Sequence, residues 1–285
     1  MRLVVAICFV VLAAFSAVAQ GQAPTLRIVT EDPTLPSELY YGDVKVKPLR
    51  LRPGTNQRIT IDDNDFFIQQ HYIDFLGRFP EPAGFQGWLN ILSNCPAGDT
   101  RCDRIEVSSA FYRSPEFQER GYFVYKFYTT SLGRFPRYEE FGPDVRRING
   151  FQTPEQLEAN KAAFANDFTQ RADFKSIYDS ITDPAAYVDK LLTTAGVTLP
   201  QRNQLISDLQ NGRKTRAQVL REVAESSEVS NKYFNQAFVV MQYFGYLRRN
   251  PDILYLNWIE TLNRTGDYRT MINGFVNSLE YRNRF

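Results

Sequence analysis

The pentapeptide Leu76-Gly77-Arg78-Phe79-Pro80 returns unchanged at 132 to 136, and Leu247-Arg248-Arg249-Asn250-Pro251 repeats its frame two units further on. A chain that copies one piece this way is restricted to architectures that stack or pair small supersecondary units. A second motif sets the count. Ser114-Pro115-Glu116-Phe117 has counterparts in Arg171-Ala172-Asp173-Phe174, Ser226-Ser227-Glu228-Val229 and Ser278-Leu279-Glu280-Tyr281, at spacings of 57, 55 and 52 residues. The shared pattern is Ser or Arg, any residue, an acid, then an apolar residue. The unit is about 55 residues long and occurs four times. The third copy is degenerate: near 190, where its Arg is due, the chain reads AYVDKLLTTAGVTLP.

Each motif has a physical meaning. In FFIQQHYIDFLGRFP, Phe67, Ile68, Tyr72, Phe75 and Leu76 recur at helical spacing and predict one buried stripe. Gly77 can adopt a left-handed cap, and Pro80 ends the helix and pushes Phe79 out of the α region; Gly133 with Pro136, and Pro251, repeat that stop. In the next segment Phe85, Trp88, Leu89 and Leu92 share a face of a second helix, with Trp258 matching Trp88 and Leu157 and Leu205 filling its place in copies two and three. A third helix follows, RIEVSSAFY in copy one and YRTMINGFV in copy four. It ends at the Ser-x-Glu-Phe motif, where Ser114 suits an N-cap, Pro115 the first helical residue and Glu116 the first turn. Ser278 and Glu280 repeat this start. Copies one, two and four also pair an Arg (Arg78, Arg134, Arg249) with an acid (Glu116, Asp173, Glu280), which predicts a clasp between the first helix and the end of its unit. Copy three keeps Glu228 without the Arg.

Before the repeats, residues 25 to 63 alternate apolar and polar at Val44 to Lys47, Leu49 to Arg52 and Ile59 to Ile61, with Pro and Gly between. This is strand-like chain too short for a core of its own. It is expected either to pack along the helical body or to serve as an arm for a partner. The first residues, MRLVVAICFVVLAAFSAVAQ, put one Arg before an apolar run and then Ala17-Val18-Ala19, which reads as a secretory signal peptide cleaved near Ala19. The expectation is a secreted or periplasmic protein with no membrane span after signal removal. Residues 20 to 285 carry 32 basic and 32 acidic residues, a balance that offers no footprint for nucleic acid. Cys95 and Cys102 remain, bracketing a Pro/Gly/Asp loop, and read as a disulfide; free thiols or half a metal site are the alternatives, the latter short of partners because His71 is the only histidine.

Chemistry-bearing constellations are few. His71 lies on the flank of the first helix with no second histidine for a three-ligand zinc set. Neither a G-x-S-x-G elbow nor a phosphate-binding G-x-x-x-x-G-K-[ST] loop occurs, and no cofactor is expected. Asp62-Asp63-Asn64-Asp65 lacks the glycine and distal Glu of an EF-hand loop and reads as a helix cap rather than a calcium site. Glu81, Glu116, Asp99 and Asp103 are candidates for a glycosidase-like carboxylate pair. The unusual class is aromatic, 22 Phe, 16 Tyr and 2 Trp. Most are expected in the core, while Tyr40, Tyr41, Tyr243 and Tyr246 are candidates for a binding surface.

The combination Tyr-x-x-x-Leu-Gly-Arg-x-Pro, Trp-x-x-x-Leu and Ser-x-Glu-Phe over residues 66 to 285 resembles the bacterial exported-protein family catalogued as domain of unknown function 4214. That family in turn looks distantly like the helical domain of phycobilisome linkers. Copy two departs by an insertion between Arg137 and Phe151, and copy three by loss of the Arg and Trp. The resemblance implies an all-α fold in surface or secreted proteins, often beside adhesive or calcium-binding repeats. It implies no catalytic residue, and the linker analogy suggests protein assembly without carrying pigment binding across.

The expected architecture is all-α: a signal peptide at 1–19, an extended arm at 20–64, repeats one and two in one lobe at 65–178, and repeats three and four in a second at 179–285. The expected role is non-catalytic binding or assembly at the cell surface or in the extracellular matrix, with a surface protein or polysaccharide as partner. An enzyme acting on envelope polysaccharide and a purely structural spacer are the alternatives.

Overall fold

The structure is a computed structural model and describes residues 25–29, 38–46, 57, 59–150 and 153–285. Fourteen helices and a three-stranded sheet form the described chain, so the all-α expectation holds, with a short β element ahead of the repeats. The predicted signal peptide at 1–19, and the alternation at Leu49 to Arg52, lie outside the described residues.

Repeat one comprises α1 (Asn64–His71, running on as a π-helical turn Tyr72–Leu76), α2 (Pro82–Ser93) and α3 (Arg104–Arg113). Repeat two comprises α4 (Pro115–Phe117, a π-turn Gln118–Tyr122, then Phe123–Leu132), α5 (Tyr138–Ile148) and α6 (Pro154–Phe168). In repeat three the first helix is broken into α7 (Ala172–Tyr178) and α8 (Pro184–Ala195), followed by α9 (Arg202–Gln210) and α10 (Arg216–Ala224). Repeat four has α11 (Ser227–Gln242 with a π-turn Tyr243–Leu247), α12 (Tyr255–Thr265) and α13 (Tyr268–Val276), and α14 (Leu279–Arg282) opens at the last start motif. The segment 137–151, expected as an insertion, supplies the second helix of repeat two. Leu157 accordingly sits on the third helix, not the second, while Leu205 is on the second as expected.

The stop and start signs behave as their chemistry dictates. Gly77, Gly133 and Gly196 take φ of 65°, 65° and 61° just past the first helices, the left-handed cap in which a side chain is strained. In repeat four that position is Arg248, the one described non-glycine residue with positive φ, at 54°. At the starts, Ser114, Ser226 and Ser278 each accept a hydrogen bond from the backbone N–H three residues on. The apolar residue of each motif, Phe117, Phe174, Val229 or Tyr281, is buried.

The pairing of repeats differs from the expectation. One core joins repeat one to repeat four, with Phe67, Tyr72, Phe75 and Phe111 packed among Phe238, Tyr243, Tyr246 and Phe275. The other joins repeats two and three, with Phe127, Phe164 and Phe168 among Tyr187, Leu191 and Leu220. The lobes are therefore not 65–178 and 179–285. Helix α4 binds the two cores together, giving Phe117, Tyr122 and Tyr125 to the first and Phe123, Phe127 and Tyr128 to the second. Helices α1 and α11 meet at their π-turns, where Gly245 has no side chain to offer: a Cβ there would stand 2.7 Å from the Phe75 ring. A lone 55-residue unit buries too little surface to be stable, and distant pairing supplies the missing core as well as neighbouring pairing would.

The N-terminal segment docks on its own chain. Strands β1 (Leu26–Val29), β2 (Glu38–Tyr41) and β3 (Val44–Val46) form an antiparallel meander in chain order. Gly42 turns the second hairpin at φ 58°. Leu26 and Leu39 pack on Ile73, and the Leu26 N–H donates to the Gly77 carbonyl at 2.8 Å, so the sheet rests on the stop of repeat one. Residues Ile59 to Ile61, expected as a strand, are instead non-regular chain whose two isoleucines enter the first core.

Candidate interaction surface

The two motifs meet in one side-chain module. Arg78 donates from Nε and Nη2 to the two carboxylate oxygens of Glu116, both at 2.6 Å, and from Nη1 to the Phe79 carbonyl at 3.0 Å and to Glu81. Its guanidinium lies 4.9 Å from the Tyr72 ring centre. Arg249 repeats this on Glu280 at 2.6 and 3.0 Å, on the Asn250 carbonyl at 3.1 Å, on Asp252 at 3.3 Å and over Tyr243 at 5.4 Å. Arg134 keeps the neighbouring carbonyl and the Tyr128 ring, but its bidentate partner is Glu140, at 2.7 and 2.9 Å, with Asp173 at 3.6 Å. Copy three has Leu191 and Val197 where the other copies have Tyr and Arg, and Glu228 accepts from the Ser227 hydroxyl at 3.0 Å. The Tyr and Arg of the motif thus belong together, six residues apart, and the clasp is architectural.

A half-buried bidentate Arg–carboxylate pair is stronger than an exposed one. Arg78→Ala is expected to cost about 2 kcal/mol, and Arg134→Ala, whose side chain is more exposed, about 1 kcal/mol. Urea unfolding followed by circular dichroism reads both. Equal losses would remove the ranking.

The remaining candidates fall into structural roles. Cys95 and Cys102 form the disulfide, with Cα atoms 5.5 Å apart. Glu81 and Glu116 come together, but on the same Arg78 guanidinium; Asp99 is tied to Arg101, and Asp103 caps α3 by accepting from Glu106 N–H at 2.9 Å while also pairing with Arg269. In the 62–65 cluster Asp62 pairs with Arg282, Asp63 accepts from Thr60 N–H at 2.8 Å, Asn64 accepts from Arg104 at 3.0 Å and Asp65 from the Phe66 N–H at 2.9 Å. Asp63 stands at the N-cap position without making a side-chain cap bond.

Tyr243 and Tyr246 are a correction: both are buried, Tyr243 under the Arg249 clasp and Tyr246 against Phe75, Phe275 and Tyr281. They occupy stripe positions of a first helix; pairing of repeats one and four closes over Tyr246, and Phe275 of the same repeat packs against Tyr243. Tyr40 is half-buried beneath Arg27, and Tyr41, at the edge of exposure, packs edge-on against Phe79 at 5.4 Å. His71 is likewise inside the core rather than on a flank. Its Nδ1–H donates to the Phe67 carbonyl at 2.8 Å, and its Nε2 accepts from the Tyr246 hydroxyl at 3.1 Å, which in turn contacts Ser108 Oγ. Burial pushes its pKa down to about 4.

Two surface features were not read from the sequence. The first is a ridge at the start of α12, where Ile253, Leu254 and Leu256 are 74%, 58% and 48% exposed; Leu279, at the first position of α14, is 77% exposed. Arg249 holds Asp252 and Glu280 together, so their chain neighbours Ile253 and Leu279 share one end of the repeat. The signal was legible in the variable position of the start motif. That exposed position is Pro115, Ala172 and Ser227 in the earlier copies and a large aliphatic only in the last. The second is a cleft of about 420 Å³ beside the stop of repeat one, walled by Ile59, Phe66, Pro80, Pro82 and Phe85, with Asp65 and Gln69 at its polar side. Among the described residues no helix is long and apolar enough to cross a membrane, and no cluster of three or more metal-ligating side chains occurs. No protein-family model, curated protein or solved structure matches the chain.

Proposed function

We propose that this chain is an exported, non-catalytic module for binding or assembly at the bacterial cell surface or in the extracellular matrix. The observation that carries the reading is the ridge of Ile253, Leu254, Leu256 and Leu279. Large aliphatic side chains at exposed helix starts add nothing to the fold, where Pro, Ser or an acid serves as well or better, and several of them exposed at one end of a repeat mark a contact. The carboxylates speak against the polysaccharide-cleaving alternative. Those among the described residues that depart from their usual acidity all depart downward, Asp62 and Asp167 for example through hydrogen bonds from Arg282 and Arg147. A general acid needs the opposite shift. A disulfide together with the signal-like leader favours an oxidising compartment.

The test is retention of purified protein on envelope and secreted fractions of its host, compared with an Ile253→Glu/Leu279→Glu double variant. Both substitutions put an acid near a helix start, where the helix dipole favours it, so the fold is expected to persist. Protease-sensitive retention that the double variant loses supports assembly through the ridge. Retention abolished by periodate moves the site to a glycan-binding surface elsewhere. Progressive shortening of polysaccharide sinks the non-catalytic reading.

A further inference from the structure

We propose that the ridge of repeat four is a self-association surface whose occupant is a second copy of this chain, received in the cleft of repeat one. The proposal rests on the assembly reading above and names the partner. Ridge and cleft are complementary in kind: one presents protruding aliphatic side chains, the other apolar walls of Ile59, Phe66, Pro80, Pro82 and Phe85 around about 420 Å³. That volume lies in the range of clefts that enclose a ligand-sized group and accommodates the aliphatic tips of the ridge.

Three further observations favour a copy of the chain over a foreign partner. The formal net charge is only +1, so two copies do not repel. The ridge also continues an interface that the chain already makes with itself. Beside Ile253 and Leu254, Tyr255 receives the Phe135 ring from the stop of repeat two at 5.6 Å, and Asn250 receives the Tyr138 N–H at 2.7 Å and donates to Glu139. This end of repeat four is therefore already a seat for the stop region of another repeat, and the cleft sits at the stop of repeat one, the same part of the unit. Finally, four exposed aliphatic side chains make a patch smaller than the ~800 Å² per partner of a standard stable interface. That area fits a weak homotypic contact, strengthened when many copies are held close at a surface, better than a tight heteromeric one.

Sedimentation velocity on purified protein from about 1 to 300 µM tests this, with an expected Kd on the order of 10–100 µM. The Ile253→Glu/Leu279→Glu ridge variant and a Pro82→Glu cleft variant are each expected to sediment as monomers or to shift Kd at least tenfold. Both leave folding intact because each acid falls in or beside a first helical turn. Mixing the two variants restores one intact ridge and one intact cleft, so a one-to-one complex is expected from a mixture of two proteins that do not associate alone. A wild-type protein that stays monomeric, a ridge variant that associates like wild type, or a mixture that fails to pair overturns the proposal. If the protein is monomeric yet still loses its envelope retention in the ridge variant, self-pairing fails while the assembly reading stands.

Discussion

Alanine in place of Asp74 is expected to destabilise the protein by about 3–5 kcal/mol, because it strands two buried cations. Asp74 sits in the π-turn of α1 with its side chain 2% exposed and bridges Arg248, at 2.9 and 3.3 Å, and Arg284, at 2.8 and 3.0 Å. Arg284 also donates to the carbonyls of Gly245 and Tyr246 at 2.9 and 2.6 Å. Burial alone would raise the Asp74 pKa, but the guanidinium groups of Arg284 and Arg248 outweigh it and hold the carboxyl below its usual value. The cluster pins repeat one to the end of repeat four. It also explains why Arg248 occupies a left-handed position at a cost on the order of 1–2 kcal/mol: a Gly there would relieve the strain and leave Asp74 half-paired. Urea denaturation of Asp74→Ala, Arg284→Met and the double variant measures this. The double variant is expected to lose less than the sum of the single losses, because Asp74→Ala alone strands both Arg248 and Arg284, and removing Arg284 with it leaves one stranded cation instead of two. Additive losses would mean the three groups do not act as a unit.

How much of this was legible beforehand depends on the range of the interaction. Helix starts at Ser114, Ser226 and Ser278 and the stops at Gly77, Gly133 and Gly196 follow from local backbone chemistry, and residues within a few positions of each other suffice to read them. The clasps of Arg78 and Arg249 were legible because repetition placed the partners in the same frame twice. Periodicity identifies the unit but is silent on which units bury one another, and pairing of repeat one with repeat four was therefore missed. The same gap hid the burial of His71 and Tyr246, which face each other across the two repeats, while Tyr243 is covered within its own repeat by Phe275 and the Arg249 clasp. Asp74 had a signal of its own, an acid inside an apolar stripe, and Arg248 another, a bulky cation at a position held elsewhere by Gly. A charge where the local rule calls for none points to a distant opposite charge.

Lowering the pH from 6.5 to about 4.5 is expected to weaken the protein by up to about 2–3 kcal/mol through His71 alone. The imidazole is buried between Phe67, Phe75, Phe111 and Tyr246, and its pKa of about 4 lies below the 6.5 of an exposed histidine. The folded state therefore stays neutral while the unfolded chain takes up a proton. The stabilising contribution is complete above pH 6.5 and is lost as pH falls toward 4, with a slope approaching about 1.4 kcal/mol per pH unit. Carboxylates held below their usual range, such as Asp74 and Glu140, begin to add their own losses as pH falls below about 5, where they take up protons in the unfolded chain. Because the chain contains one histidine, the interval between is a clean window. The control is His71→Gln, suggested by the fold itself: the matching position of repeat four is Gln242, buried, which donates to the carbonyl four residues back at 3.0 Å as His71 does. Urea midpoints of the wild type should fall between pH 6.5 and about 5 while those of His71→Gln stay level, and below about 5 both should fall as the carboxylates protonate. A flat wild-type profile would mean that the imidazole reaches water in the folded state, and the packing of α1 against α11 would then have to be looser than the ring contacts around it require.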